Sequence, residues 1–200
     1  MKEKEPWTLA DMPDLNNQVI IVTGGNSGLG FESVKAFAQA GAMVVLACRS
    51  KISGEKAKST ILSSNSFAKI DVMEIDLADL SSISSFVVEF KKKYNRLNVL
   101  LNNAGIMLVP HTLTKDGFES HLGVNHLGHF ALTGLLIDLI VKTPKSRVVS
   151  ISSIAHDAAI MNFDDLMYKN MREYSPMKAY RRSKMANLLF TYQLQRLFQK

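Results

Sequence analysis

The run Val19-Ile20-Ile21-Val22 passes straight into Thr23-Gly24-Gly25-Asn26-Ser27-Gly28-Leu29-Gly30. It reads as a buried strand that ends in a glycine-rich turn and opens a helix. A turn of this kind lets backbone approach a pyrophosphate closely. The free N–H groups and the dipole of the following helix then favour the negative charge. Gly24, Asn26, Ser27, Gly28, Leu29 and Gly30 are therefore candidate phosphate-site residues. Their spacing is G-x-x-x-G-x-G rather than the commoner G-x-G-x-x-G.

Downstream, apolar runs alternate with helical patterns. Residues 19–23, 43–47, 70–75, 99–102 and 148–151 are short, rich in β-branched residues and nearly continuous in hydrophobicity. Parallel strands covered on both faces have that character. Residues 28–40, 54–62, 81–94, 115–142 and 178–198 carry helix-compatible spacing, with Asp79 placed to cap the third helix and the fourth either broken near Gly123 or running on through Gly128. Strand–helix alternation predicts an α/β fold: a doubly wound parallel sheet with right-handed crossovers, three layers deep, with at least five strands in the order 3-2-1-4-5. Residues 1–16 form an N-terminal arm, 17–200 form one domain, and 155–176 read as a loop-rich insertion.

Composition narrows the function classes. The net charge of +6 comes from scattered basic residues, and Lys91-Lys92-Lys93 ends a helix where cations suit the dipole, so nucleic acid is not an expected partner. The apolar stretch 131–141 carries Asp138 and is too short for a bilayer span, which needs about 20 residues. The first six residues contain no apolar core of a secretory signal. The single cysteine, Cys48, lies in the second strand and fits a reducing compartment. A cytoplasmic protein without a transmembrane segment is the expectation.

Further motifs follow in order: Asp76-Leu77 after the third strand, Asn102-Asn103-Ala104-Gly105 after the fourth, Asn125 in a helical stretch, Ser152-Ser153 after the fifth, and Tyr180-Arg181-Arg182-Ser183-Lys184. Tyr180 and Lys184 are four apart and share one helix face. A phenol with a pKa of about 10 exchanges its proton poorly at neutral pH, and a neighbouring ammonium favours the phenolate. Ser152 and Ser153 both stand where strand ends open onto a crevice.

With these motifs in view the chain resembles the short-chain dehydrogenase/reductase family. The insertion before Tyr180 and the run Ser183-Lys184-Met185-Ala186-Asn187 are most similar to its retinol dehydrogenase and WW-domain oxidoreductase-like branch. The resemblance implies interconversion of a carbonyl and an alcohol, with hydride carried by a nicotinamide because no side chain can supply one. It assigns Tyr180 as general acid/base, Ser153 rather than Ser152 to the substrate oxygen, Lys184 to the nicotinamide ribose, and Asn125 to a proton relay. It also places Asn102, Asn103, Ala104 and Gly105 under the cofactor, Asn102 on its adenosine side, and Asp76 and Leu77 by the adenine. Retinoids, steroids or lipid aldehydes are the implied substrates, and pairing of two copies through the long helices is the implied assembly.

Residues 47–51 read Ala-Cys-Arg-Ser-Lys, where an acid would grip the ribose of NAD. Arg49 can instead bind a 2′-phosphate, so NADP(H) is expected, with NAD(H) the alternative. Members of the family usually continue beyond the last helix, so the chain reads as C-terminally shortened, with strands of the full sheet absent. A second reading is thus a cofactor- or partner-binding protein with little turnover. A serine hydrolase built on Ser153 and His156 lacks the G-x-S-x-G elbow. His126 and His129 form H-x-x-H without an accompanying acid or cysteine cluster, so a metal site is not expected.

Overall fold

Five apolar runs pair into one sheet in a computed structural model that describes residues 7–198. The strands are β1 (Val19–Thr23), β2 (Met43–Cys48), β3 (Lys69–Glu74), β4 (Val99–Asn102) and β5 (Arg147–Ser150). Their order is β3-β2-β1-β4-β5, and all four pairings are parallel. This is the sequence-derived topology. Connecting helices are α1 (Gly28–Gln39), α2 (Lys51–Ser64), α3 (Leu80–Lys93), α4 (Ser120–Lys142) and α5 (Pro176–Phe198).

Period-2 alternation along the strands divides the core in two. Ile20, Val22, Val44 and Leu46 face Val34, Ala38, Ala57 and Ile61 of α1 and α2. Ile21, Val45 and Leu100 face Ile83, Phe86 and Phe90 of α3 and Leu132, Leu136 and Ile140 of α4. Both faces of the sheet are covered over β1 and β2, which gives the α/β/α layering, while Val149 leaves one face of the edge strand β5 exposed. The chain leaves β1 toward β2 and β3, then returns to β4 on the other side. Between the C-terminal ends of β1 and β4 lies the switch point where such sheets open a crevice.

Differences from the sequence reading lie at boundaries and have local causes. Helix α2 starts three residues early because Ser50 caps it, its hydroxyl accepting from Ser53 N at 3.3 Å. Asp79 caps α3 as expected, accepting from the N–H groups of Ser81 and Ser82. Helix α4 begins at Ser120 rather than 115. Residues 114–117 close a turn, with Gly117 N on Thr114 O at 3.0 Å, and Leu113 bridges Glu119. The buried Glu119 carboxylate then caps α4 through His121 N and Leu122 N at 3.0 and 2.9 Å. The helix is not broken at Gly123 and runs on through Gly128, the second alternative. Within it Gly123–Leu127 forms a π-turn, a local widening frequent at functional sites.

By length and composition α4 is long enough and apolar enough to cross a bilayer, which corrects the reading based on 131–141 alone. In the fold its Leu132, Leu136 and Ile140 are buried against the sheet. Of the 1–16 arm, residues 1–6 lie outside the described residues. The rest contains one 3-10 turn (Leu9–Asp11) and a buried Leu15 whose N–H bonds Ala40 O.

The insertion 155–176 carries two single 3-10 turns, Ile154–Ala158 and Met171–Glu173. Side chains fix it. Arg182 donates to the carbonyls of Asp165 and Leu166 and lies 4.0 Å over the Tyr168 ring. Tyr174 donates to Val109 O at 3.1 Å.

Candidate active site

A cleft of about 840 Å³ opens at the switch point. Gly24, Asn26, Ser27, Leu29 and Gly30 line it from the glycine turn, Arg49 from the end of β2, Asp76 and Leu77 from the end of β3, and Asn103, Ala104 and Gly105 from the end of β4. Gly28 stands in the same turn at φ +54°, a left-handed conformation that suits glycine. Gly30 is required by close approach: a Cβ there would stand 2.3 Å from Gly24 O and 2.6 Å from Asn103 Nδ2. The first turn of α1 is thereby pressed against the turn and the end of β4. Leu29 and Gly30 of that turn line the cleft, and a helix start carries N–H groups without intrahelical partners, which is what an anion site requires.

The Asn102 side chain does not line the cleft. Asn102 is the last residue of β4, and alternation turns its side chain away from the cleft toward α4, where Nδ2 donates to Thr133 Oγ1 at 3.1 Å. Asn103 faces the cleft instead, its Nδ2 donating to Thr23 O at 2.8 Å. Asp76 Oδ1 accepts from Ala78 N at 2.9 Å, so one carboxylate oxygen shapes the loop. Arg49 is exposed beside the Ser50 cap of α2. Cys48 is buried in the core, where desolvation raises its thiol pKa.

The four residues assigned to chemistry gather at the β4–β5 side. Lys184 is buried in α5, and its Nζ donates to Ile151 O at 3.1 Å. The same Nζ lies 5.7 Å from the centroid of the Tyr180 ring, one helical turn earlier. It would also stand 3.5 Å from a Cβ placed on the cleft-lining Gly105. Burial holds the Lys184 pKa below the usual lysine value. An ammonium has three donors, so N–H groups remain for a ligand.

The two serines separate cleanly. Ser152 Oγ donates to Lys184 O at 2.8 Å, so its proton is committed to the helix. Ser153 Oγ accepts from Ala155 N at 3.2 Å and keeps its own proton to donate. His156 Nδ1 meets the main-chain carbonyl of Ser153, not its hydroxyl, and its Nε2 faces Asp157. That is not the arrangement of an activated serine nucleophile.

Asn125 is fully buried in the π-turn. Its side chain clamps the loop after β4: Oδ1 accepts from Ile106 N at 2.8 Å, while Nδ2 donates to Ile106 O and Ser183 Oγ, each at 2.9 Å. Sequence reasoning missed this clamp and missed two partners that support it, Ser183 and His129. His129 Nδ1 contacts Asn125 O at 3.0 Å and its Nε2 contacts Thr23 Oγ1 at 2.8 Å. A clue was present in the four-residue spacing from Asn125 to His129, one helical turn.

Comparisons with known proteins give the family and the fold. The sequence profile described as short chain dehydrogenase matches residues 18–164. Retinol dehydrogenase 12 of Mus musculus is 42% identical over 182 residues, covering 91% of this chain and 57% of its own length. WW domain-containing oxidoreductase of Gallus gallus is 43% identical over 190 residues, covering 92% of this chain and 46% of its own length. The chain thus spans about half the length of these curated relatives. A crystal structure of an uncharacterized protein from Mycobacterium Paratuberculosis superposes with a TM-score of 0.84 at 45% identity, covering 96% of this chain and 67% of that one.

Proposed function

As the chain belongs to the short chain dehydrogenase family, we propose that it interconverts a carbonyl and an alcohol with NADP(H) in preference to NAD(H), Tyr180 acting as general acid/base. The observation that carries this reading is the buried Lys184, held between Tyr180 and the cleft-lining Gly105. A buried ammonium is costly to desolvate, and groups so perturbed cluster at functional sites.

The residues fit a dinucleotide. The glycine turn and the start of α1 would hold the pyrophosphate, Asp76 and Leu77 the adenine end, and Lys184 the ribose next to the nicotinamide. When bound, the nicotinamide gives or takes the hydride. For reduction, Tyr180 donates its phenolic proton to the carbonyl oxygen, and oxidation reverses that transfer. The Lys184 ammonium stabilises the phenolate left behind. Ser153, with its hydroxyl proton uncommitted, donates a hydrogen bond to the same oxygen as charge develops on it. Asn125 holds the loop through Ile106, fixing Gly105 against the ammonium.

Apolar side chains ring the β4–β5 side. Ile154, Ile160 and Phe163 are 85%, 82% and 70% exposed on the insertion, with Met107, Leu108 and Leu113 exposed on the loop after β4. They support an apolar substrate such as a retinoid, steroid or lipid aldehyde. Phe130 and Phe190 meet at 5.4 Å on the outer face of α4 and α5, next to exposed Leu189, which supports pairing of two copies there.

The test is NADPH oxidation by the purified chain with retinal, a steroid ketone and a long-chain aldehyde in parallel. Turnover with one or more is expected. NADPH binding without turnover on any of them would favour a binding protein instead. Cofactor choice has its own test. Arg49→Ala should weaken NADPH roughly ten- to hundred-fold, a lost charged hydrogen bond of about 1.5–3 kcal/mol, and leave NADH little changed. Equal loss for both cofactors removes Arg49 from the 2′-phosphate.

A further inference from the structure

The buried histidine between the two halves of the site has a fully determined hydrogen-bond pattern. Asn125 O has no proton, so the 3.0 Å contact requires His129 Nδ1 to carry one and donate it. His129 is buried among helix and sheet, and desolvation pushes its pKa down to about 4, with the charges of Lys184 and His126 adding to the effect. The ring is therefore neutral near pH 7 and Nε2 is a bare acceptor. Thr23 Oγ1 lies 2.8 Å away and must donate to it. With its proton so placed, Thr23 Oγ1 offers its lone pairs to Asn103 N at 2.9 Å and Ala104 N at 3.0 Å. Its 3.3 Å approach to Leu101 O is the longer and competing contact.

One imidazole thus joins three elements. Thr23 is the residue immediately before Gly24 of the glycine turn. Asn103 and Ala104 line the cleft at the end of β4. Asn125 sits in the π-turn of α4, where Gly128 N reaches back to Gly123 O in the wide five-residue pattern. This joint is separate from the Asn125 side-chain clamp on Ile106.

We propose that His129 is a positioning residue that sets the glycine turn through Thr23 and the Asn125 carbonyl through Nδ1, so that cofactor seating and proton handling share one buried joint. The inference rests on the oxidoreductase reading given above. Neither Thr23 nor His129 touches the reacting atoms. Thr23 acts through the cleft-lining backbone of Asn103 and Ala104, and His129 acts through Thr23 and the Asn125 carbonyl.

Two amide substitutions separate the functions. His129→Asn places an amide N–H near the Nδ1 position and loses the acceptor for Thr23. His129→Gln places an amide oxygen near the Nε2 position and loses the donor to Asn125. In His129→Asn the larger loss should fall on NADPH affinity, about ten-fold, the size of one net buried hydrogen bond. For His129→Gln it should fall on kcat, again about ten-fold. Should either variant fail to fold, the unsubstituted chain still gives an answer. With 15N-labelled histidine, His129 should show a protonated Nδ1 and a bare Nε2, and NADPH should shift the Nε2 resonance. A chain that binds NADPH while the His129 nitrogens stay unmoved overturns the inference alone. Loss of thermal stability in both variants, with affinity and kcat unaffected, does the same. Failure of the unsubstituted chain to bind NADPH overturns the oxidoreductase reading, and the inference falls with it.

Discussion

Replacing Tyr180 by Phe should lower carbonyl reduction by about 10²–10⁴-fold, the usual worth of a positioned general acid, with NADPH affinity nearly intact. The ring and its packing survive the change, and only the transferable proton is lost. Lys184 keeps its bond to Ile151 O, so the proposed ribose contact stays in place. Lys184→Met is the contrasting variant. It removes the ammonium 5.7 Å from the Tyr180 ring and the contact near Gly105 together. Affinity and turnover should then fall in parallel. Steady-state kinetics beside NADPH fluorescence titration checks both. Turnover preserved in Tyr180→Phe would end the proton-donor assignment.

Gly30→Ala should abolish measurable NADPH binding and lower the melting temperature. The added methyl would lie 2.3 Å from Gly24 O and 2.6 Å from Asn103 Nδ2. The first atom is backbone, and the second is tied to Thr23 O at 2.8 Å, so neither can move away without opening the turn. Overpacking of this kind costs about 1–3 kcal/mol in stability. The larger effect is on the anion site, because α1 must back away from the turn whose N–H groups it shares. Thermal melts with and without NADPH measure both effects. A variant that melts like the parent and gains the same stabilisation from NADPH would show that the turn is not under this constraint.

The sheet was legible because its strands are apolar on both faces, as at Ile20-Ile21-Val22, and their alternation with helices leaves few topologies. Tyr180 and Lys184 were legible because four residues make one helical turn. The outward turn of the Asn102 side chain was not legible because adjacent strand residues face opposite ways, and a motif read as a string does not state which neighbour faces the crevice. The start of α4 was placed early because the caps depend on a turn at 114–117 and on a buried carboxylate, Glu119, that looks like any surface acid in the sequence. His129 escaped notice because its partner Thr23 lies 106 residues away and meets it only after β1 and α4 have docked. The same histidine was weighed as one half of a metal pair, whereas its neighbour His126 turns to Asn187 at 3.1 Å.

Two of the pegs that hold the insertion before α5 are Arg182 and Tyr174. Between and before those pegs its backbone forms no strand or α-helix, and Ile160 and Phe163 project into solvent. A wall built in this way is exchangeable. New side chains, or a different length of loop, can be carried on the same attachments without disturbing a sheet residue or the Tyr180–Lys184 face. Under the proposed oxidoreductase reading, the choice of substrate can therefore change through this loop while the Tyr180–Lys184 face stays as it is.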